Sequence, residues 1–388
     1  MNVPKLRFKE FNDEYNLISF GDLVDYQKGF AFKSKDYKNN GIRIIRISDT
    51  TANSINNLDG IYIDAQEKGK YMNVELKTND IIISSVGSKP PLYDSMVGKV
   101  VLVPEHANGS LLNQNAIRFR SKRANQIYLY NYLKQNKYTS FIESIMRGNA
   151  NQRSITLEDL FKFELYVPNI NEQNKVAKTL ELLDRKIELQ SKKIEDLKLF
   201  KKGLIHQMKK SNNNWSEYKI SEIFKITRGV VIPKTDLLDN KTTEYQYPVY
   251  SSQTSNNGIL GYDTKFDFDG KYLTWTTDGA NAGKVFYRNG KFRCTNVCGV
   301  LYNDNNKYVD ELTAELLNYE TPKHVSYVGN PKLMNNVMGD IKIFLPDSNE
   351  SDRVSNILLI INNKVLLETD KLNKLNKLKK GLMQKMFV

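Results

Sequence analysis

The sequence predicts an α+β protein in which two homologous modules each feed one long helix. Three observations carry that expectation. First, residues 165–210, LYVPNINEQNKVAKTLELLDRKIELQSKKIEDLKLFKKGLIHQMKK, lie over 343–388, IFLPDSNESDRVSNILLIINNKVLLETDKLNKLNKLKKGLMQKMFV. The offset is 178 residues without a gap, and 14 of 46 positions are identical. Second, both copies carry one heptad seam, with spacings that alternate four and three. It runs Val176, Leu180, Leu183, Ile187, Gln190, Ile194, Leu197, Lys201, Leu204, Met208, and again Val354, Leu358, Ile361, Val365, Glu368, Leu372, Leu375, Lys379, Leu382, Met386. Third, residues 16–29 (NLISFGDLVDYQKG) answer 215–229 (WSEYKISEIFKITRG), with Leu23, Val24 and Gly29 matching Ile223, Phe224 and Gly229 at an offset of 200. The repeated unit is therefore larger than the helix, and the first copy holds about 22 extra residues between its two ends.

The elements follow in order. Each leading segment reads as a short helix running into a basic turn, Lys28-Gly29 or Arg228-Gly229. Strands are expected at 43–47, 81–83, 99–103 and 116–119, where β-branched runs are bounded by Gly, Asn, Asp or Pro. In the second module 247–250, 271–275, 284–287 and 300–302 play the same part. Helices are expected at 126–136 and 310–319. Arg147-Gly148-Asn149 and Val328-Gly329-Asn330 then precede the strand leading to each long helix. Those helices start at a capping-box pattern, Asn169 to Glu172 and Asp347 to Glu350. Roughly 36 helical residues at about 1.5 Å each give a rod of about 54 Å. Gly203 and Gly381 are expected to loosen the last turns, and the paired lysines at 192–193, 201–202 and 209–210 read as solvated faces. The domain division is 1–164, 165–210, 211–342 and 343–388.

Composition narrows the partner. Lys and Arg number 57 against 44 Asp and Glu, for a net charge of +13 and a pI near 9.3. That balance favours a polyanion. No apolar run reaches the ~18 residues a membrane span needs. Residues 1–14 lack the apolar core of a signal peptide, so the expected location is cytoplasmic.

Catalytic patterns fail one by one. Gly98-Lys99-Val100 and Gly283-Lys284-Val285 lack the upstream glycine and the Ser or Thr of a phosphate-binding loop. Ser88-Lys89-Pro90-Pro91-Leu92-Tyr93 has Lys and Leu where an adenine-methylating site needs Asn or Asp and an aromatic, and it reads as a stiff surface loop. Cys294 and Cys298, with His106, His206 and His324, do not have zinc-ligand spacing, and no Gly-x-Ser-x-Gly elbow is present. No catalytic residue, no metal ligand and no cofactor is assigned to this chain.

The nucleic-acid signal is spread over the turns. Asn, Gln and Arg can grip base edges bidentately, while Ser, Thr and Lys suit phosphates. On that ground the expected nucleic-acid contacts, DNA contacts under the resemblance described next, are Lys28, Arg147, Asn149, Asn151, Gln152 and Arg153 in the first module. In the second they are Arg228, Ser252, Gln253, Thr277, Asn281 and Lys332.

The order of leading segment, module and Pro-x-x-x-Glu helix ending in Lys-Lys-Gly-Leu, all given twice, resembles the specificity subunit of type I restriction–modification enzymes over essentially the full chain. The resemblance implies two target-recognition domains, each reading one half of a bipartite asymmetric site on double-stranded DNA. It implies that the helices form an antiparallel coiled coil with pseudo-twofold symmetry, a spacer of fixed length. Such a subunit is non-catalytic. It joins two methyltransferase subunits that use S-adenosyl-methionine, and restriction/translocase subunits that use ATP and Mg. The outward helix face, with Lys186 and Lys364, is the expected docking surface. The alternative is a non-enzymatic coiled-coil scaffold whose basic modules bind protein or RNA, and a hydrolase without recognisable motifs comes third.

Overall fold

The computed structural model describes residues 3–51, 54–57, 60–89, 92, 95–149, 152–210 and 215–388. They form two compact units, Met1–Leu189 with Leu372–Val388, and Gln190–Lys371.

In the first unit the leading segment is a strand, Asn16–Ser19, one helical turn, Phe20–Leu23, and a second strand, Val24–Lys28. The short helix thus does not run directly into the basic turn. Val24 is buried in the core while Asp25 and Tyr26 face water, and that requirement draws the chain out into a strand first. Asn16–Ser19 pairs antiparallel with Glu164–Val167, tying the start of the module to its end. Val24–Lys28, Ala116–Ser121, Ile81–Ser84 and Val100–Leu102 make a four-stranded antiparallel sheet in that order. Ile81 and Ile83 enter a core with Phe20, Phe119, Tyr128 and Tyr138. Ile82 enters a second core with Ile44, Ile63, Leu76 and Val101. A strand buried on both faces reads as an unbroken apolar run, which is why three isoleucines stand together. The expected helix at 126–136 is two helices, Gln126–Tyr132 and Asn136–Ile145.

The first long helix spans Ile170–Lys210. Asn169 Oδ1 accepts from the Glu172 N–H at 3.0 Å, but the capping box is only half made. The Glu172 carboxylate, 1% exposed, accepts instead from Arg7 Nε and Nη2 and from the Tyr15 hydroxyl, each at 2.8 Å. Within this unit residues 372–388 run against the helix in the opposite direction. Asp184 pairs with Lys379, while Val176, Ala177 and Leu180 share a core with Leu382, Met383 and Met386.

The second unit repeats the plan. Ser216–Lys219 pairs with Lys342–Leu345. A six-stranded sheet orders Lys225–Arg228, Cys298–Tyr302, Phe268–Thr276, Val285–Cys294, Tyr247–Tyr250 and Ile259–Asp263. Its two central strands run 9 and 10 residues, longer than the sequence suggests. Trp275 is fully buried among Leu273, Leu301, Leu312 and Leu358, and its indole N–H donates to the Leu333 carbonyl at 3.0 Å. Asp310 caps the helix Glu311–Glu320 by accepting from the Thr313 N–H at 2.8 Å.

The second long helix spans Ser348–Met386, with Asp347 Oδ1 accepting from the Asn349 and Glu350 N–H groups at 2.9 Å. Here too the helices are antiparallel. Gln190 Nε2 donates to the Glu368 carboxylate at 2.7 Å, and Lys201 Nζ donates to Asn362 Oδ1 at 2.9 Å and Glu315 Oε1 at 2.7 Å. The polar breaks in the seam are thus partnered. At 41 and 39 residues both helices exceed the expected length, and Gly203 and Gly381 lie inside them. Beyond the adjacent residues and the helix's own backbone, no atom stands within 4 Å of where a Cβ would be at either glycine, so each costs the helix about 1 kcal/mol against alanine without breaking it. The lysines are not all solvated. Lys193 reaches Glu368 at 2.9 Å, and Lys209 lies 3.8 Å over the Tyr319 ring. Among the described residues no helix is long and apolar enough to cross a membrane.

Candidate nucleic-acid interface

Two glycines close the frame of the candidate site. A Cβ at Gly29 would lie 1.9 Å from the Asn113 carbonyl oxygen, and one at Gly229 would lie 2.0 Å from that of Cys294. Only glycine allows backbone to approach backbone so closely. The approach is held by four backbone bonds in each unit. In the first, Gly29 N donates to Ala116 O, Phe30 N to Leu112 O, Ser85 N to Asn115 O and Ile155 N to Ser85 O, at 2.9–3.0 Å. In the second, Gly229 N donates to Cys298 O, Val230 N to Cys294 O, Thr277 N to Val297 O and Leu333 N to Thr277 O, at 2.9–3.1 Å. These bonds bring together three features in each unit: the basic end of a strand, a polar turn, and a hairpin just before the strand that leads to the long helix.

In the first unit the strand end is Lys28, exposed beside Gly29. The hairpin pairs Arg147–Asn149 with Gln152–Ser154, and Arg153 pairs in turn with Gly87. Gly148, at φ +116°, takes a left-handed conformation that other residues resist. Asn149 and Gln152 are exposed, and Asn151 lies outside the described residues. Arg147 is mostly exposed and reaches Asp159 at 2.8 Å. The Thr156 hydroxyl and Lys162, aided by Arg147, hold the Asp159 carboxyl below its ordinary range. Arg153 Nε is buried without a hydrogen-bond partner.

In the second unit Arg228 is exposed, with Nη2 3.3 Å from Asn335 Oδ1. The hairpin 326–332 closes by two 2.9 Å backbone bonds between Ser326 and Lys332, and Lys332 stands 3.7 Å from Asp278. Thr277 is fully buried, its hydroxyl donating to Asp278 Oδ2 at 2.6 Å, so its backbone and not its side chain shapes the site. Asn281 is exposed on the same turn, and its carbonyl accepts from the Thr276 hydroxyl. Ser252 and Gln253 sit half-buried in the loop after Tyr250, which meets the same frame where Ser251 Oγ accepts from Thr295 Oγ1 at 3.0 Å. The Gln253 amide donates to the Ile259 carbonyl, closing its own loop.

The sequence passes over the apolar side chains at these ends. Phe30 holds the position next to Gly29, and Val230 and Val231 follow Gly229, all exposed. Tyr327 and Val328 form the exposed tip of the second hairpin. Tyr-Val before Gly-Asn-Pro carries a turn signal in its Gly-Asn-Pro, but nothing in the sequence says that the apolar pair stays in water.

Cys294 and Cys298 are buried free thiols 3.3 Å apart, and burial pushes the Cys294 thiol well above its usual range. His106 Nε2 is 3.1 Å from the Ile55 carbonyl, while His206 and His324 are exposed on separate elements. Among the described residues no group of three or more His, Cys, Asp or Glu side chains is placed to hold a metal. The Pro90-Pro91 and Tyr93 part of the surface-loop run lies outside the described residues.

Comparison with known proteins bears on this arrangement. The family described as type I restriction modification DNA specificity domain matches twice, at residues 12–199 and 212–377. A Mycoplasma pneumoniae protein named as the N-terminus of type I specificity subunit S.MpnORF289P is 42% identical over 142 residues, covering 36% of this chain and 74% of that protein. The M. pneumoniae type I specificity subunit S.MpnORF365P is 34% identical over 212 residues, covering 53% of this chain and 77% of that one. In fold, the chain is similar to the crystal structure of the type I restriction-modification system S subunit from M. genitalium. The TM-score is 0.73 at 18% identity, covering 100% of this chain and 99% of that one.

Proposed function

The chain belongs to the type I restriction modification DNA specificity domain family, with that domain present twice, and on this premise we propose that it reads a bipartite, asymmetric DNA site. Residues 1–164 read one half-site and 211–342 the other, while 165–210 and 343–388 form the spacer between readers. One observation carries the reading. The same four-bond frame occurs once in each unit, around Gly29 and around Gly229, while the side chains mounted on it differ. A common scaffold with different polar groups at its rim is what two different base sequences require. Arg147, Asn149, Asn151, Gln152, Arg153 and Lys28 serve the first half-site; Arg228, Asn281, Lys332, Ser252 and Gln253 serve the second. Thr277 acts there through its backbone.

The partners follow from the helices. Exposed apolar residues stand at three pairs of equivalent positions: Leu182 with Ile360, Leu189 with Leu367, and Phe200 with Leu378. Water-facing apolar residues repeated at one offset support two equivalent docking surfaces, hence two methyltransferase subunits, with restriction/translocase subunits joining through them. Lys186 is exposed on this helix, and Lys364 is exposed but 3.5 Å from Glu368. The chain itself is non-catalytic in this reading. S-adenosyl-methionine, ATP and Mg belong to the partners, and the assembly works in the cytoplasm.

The test is an exchange of residues 211–342 for the module of another family member, followed by mapping of methylated adenines. One half of the target should change and the other stay. If both halves change, or neither does, the modular reading is wrong; binding to RNA or protein in place of DNA would favour the scaffold.

A further inference from the structure

The second hairpin carries a feature that the polar contact set does not use. Its base is fixed: Ser326 and Lys332 exchange two 2.9 Å backbone bonds, Gly279 N donates to Pro331 O, and Leu333 N donates to Thr277 O, both at 2.9 Å. The Leu333 carbonyl also receives the buried Trp275 indole N–H. Beyond that base stands an apolar tip, with Tyr327 69% and Val328 91% exposed. Val328 is the most exposed of the large hydrophobic side chains among the described residues. Gly329, at φ +76° with open space around it, turns the chain so that both side chains project from a narrow loop.

A rigid base with an apolar, water-facing tip suits insertion and not local packing. The tip's setting identifies what it enters. The equivalent hairpin of the first unit presents Arg147, Asn149, Gln152 and Arg153; the second hairpin carries Lys332 at its base, 3.7 Å from Asp278, and Arg228 meets Asn335, three residues past that base, at 3.3 Å. Basic groups suited to phosphates therefore stand at the foot of the hairpin that carries the apolar pair. In a DNA groove the apolar feature available to such a tip is the C5-methyl group of thymine.

We propose that the hairpin 326–332 enters the groove of the half-site read by the second unit, and that Val328, backed by Tyr327, selects thymine by its methyl group. This rests on the reading of the chain as a DNA-specificity subunit. The second unit then reads part of its half-site by apolar contact, where the first relies on hydrogen bonds.

The experiment selects binding sites from random duplexes with the full chain and with Val328→Ser and Tyr327→Ser/Val328→Ser variants. The fluorescence of buried Trp275 serves as the folding control. Expected is a two-part motif for the unaltered chain, and for the variants loss of a thymine preference at one position of the second half alone. Replacing that thymine by uracil should weaken the unaltered chain about five- to tenfold and leave the double variant unmoved. Variants that select the unaltered motif overturn the inference, as does equal sensitivity of chain and variants to uracil. Loss of a protein partner with DNA selection unchanged also overturns it, reassigning the tip to that partner. An unaltered chain that selects no two-part motif sinks the specificity reading itself, a different result from any of these.

Discussion

The two hairpins that precede the long helices occupy the same place in their units and present opposite surfaces. Arg147–Asn149 with Gln152–Ser154 is a polar ribbon tied to Asp159 and to Gly87, while 326–332 is a short loop with Tyr327 and Val328 in water. Their anchors are alike: Ile155 N binds Ser85 O in one, and Leu333 N binds Thr277 O in the other. The difference teaches that the frame and the reading surface vary separately. The frame is made of backbone bonds, which apart from the two glycines do not depend on the side chains they carry, so the groups mounted at the rim are free to differ.

The largest expected effect falls on what the units share. Gly29→Ala or Gly229→Ala forces a Cβ into a carbonyl oxygen 1.9 or 2.0 Å away, and either should destabilise its own unit by about 3 kcal/mol or more. Hydrogen exchange resolved by unit would show it, and a loss under about 0.5 kcal/mol would mean that the frame does not need the close approach. Next comes an exchange of rims. Grafting residues 147–154 in place of 326–332 should lower affinity for the original target about a hundredfold, with all of the change in the second half-site. Equal loss at both half-sites would end the separation of frame and surface.

Smaller effects test single cations. Arg147→Ala and Lys332→Ala should each weaken binding by about 1–3 kcal/mol, Arg147 at the first half-site only. If Lys332 meets phosphate, its loss should reduce the salt slope by about one without altering the preferred sequence. Affinity measured from low to moderate salt separates the two roles.

The smallest effect concerns pH, and it should appear in one unit. Caps Asn125 and Asp310 align two helices, placing neutral Gln126 where the second unit has Glu311. Burial, reinforced by Glu315, raises Glu311 from 4.5 to about 7. The folded unit therefore holds this proton more tightly than the unfolded chain. The stability it contributes is full below about pH 4.5 and is lost as pH rises through 7. Amide protection over Glu311–Glu320 should fall between pH 5 and 8, and Glu311→Gln should flatten that fall, with Gln126–Tyr132 unaffected.

Much of the architecture was legible because it was written twice. The seam, Ile81–Ile83 and both helix caps declare themselves through periodicity, apolar runs and Asx residues before the first turn. Elements fixed by distant partners were less legible. The strand Val24–Lys28 exists because Ala116–Ser121 lies beside it, and the division at residues 133–135 depends on packing that local propensity does not express. In the candidate site Arg147, Lys332 and Arg228 could be singled out as cations beside turn signals, and all three are exposed. Thr277 could not be told from a surface threonine, because burial comes from Val297 and Leu333 binding its backbone. Tyr327 and Val328 mislead in the other direction: apolar residues are ordinarily assigned to the interior.

Gln190 and Glu368 stand one repeat apart, 178 residues, and they touch. A position that meets its own counterpart distinguishes self from copy. If two molecules paired first helix with first helix, two amides would meet there. If they paired second helix with second helix, two carboxylates would meet inside the seam, where Glu368 is 1% exposed. The pairing within one chain instead joins an amide donor to a carboxylate already bordered by Lys193, Lys364 and Lys371. Gln190 foremost, with Lys193 and Lys371, lowers the Glu368 carboxyl to about 2. A repeat so alike that it could assemble with itself is steered toward its other half by a single mismatched pair.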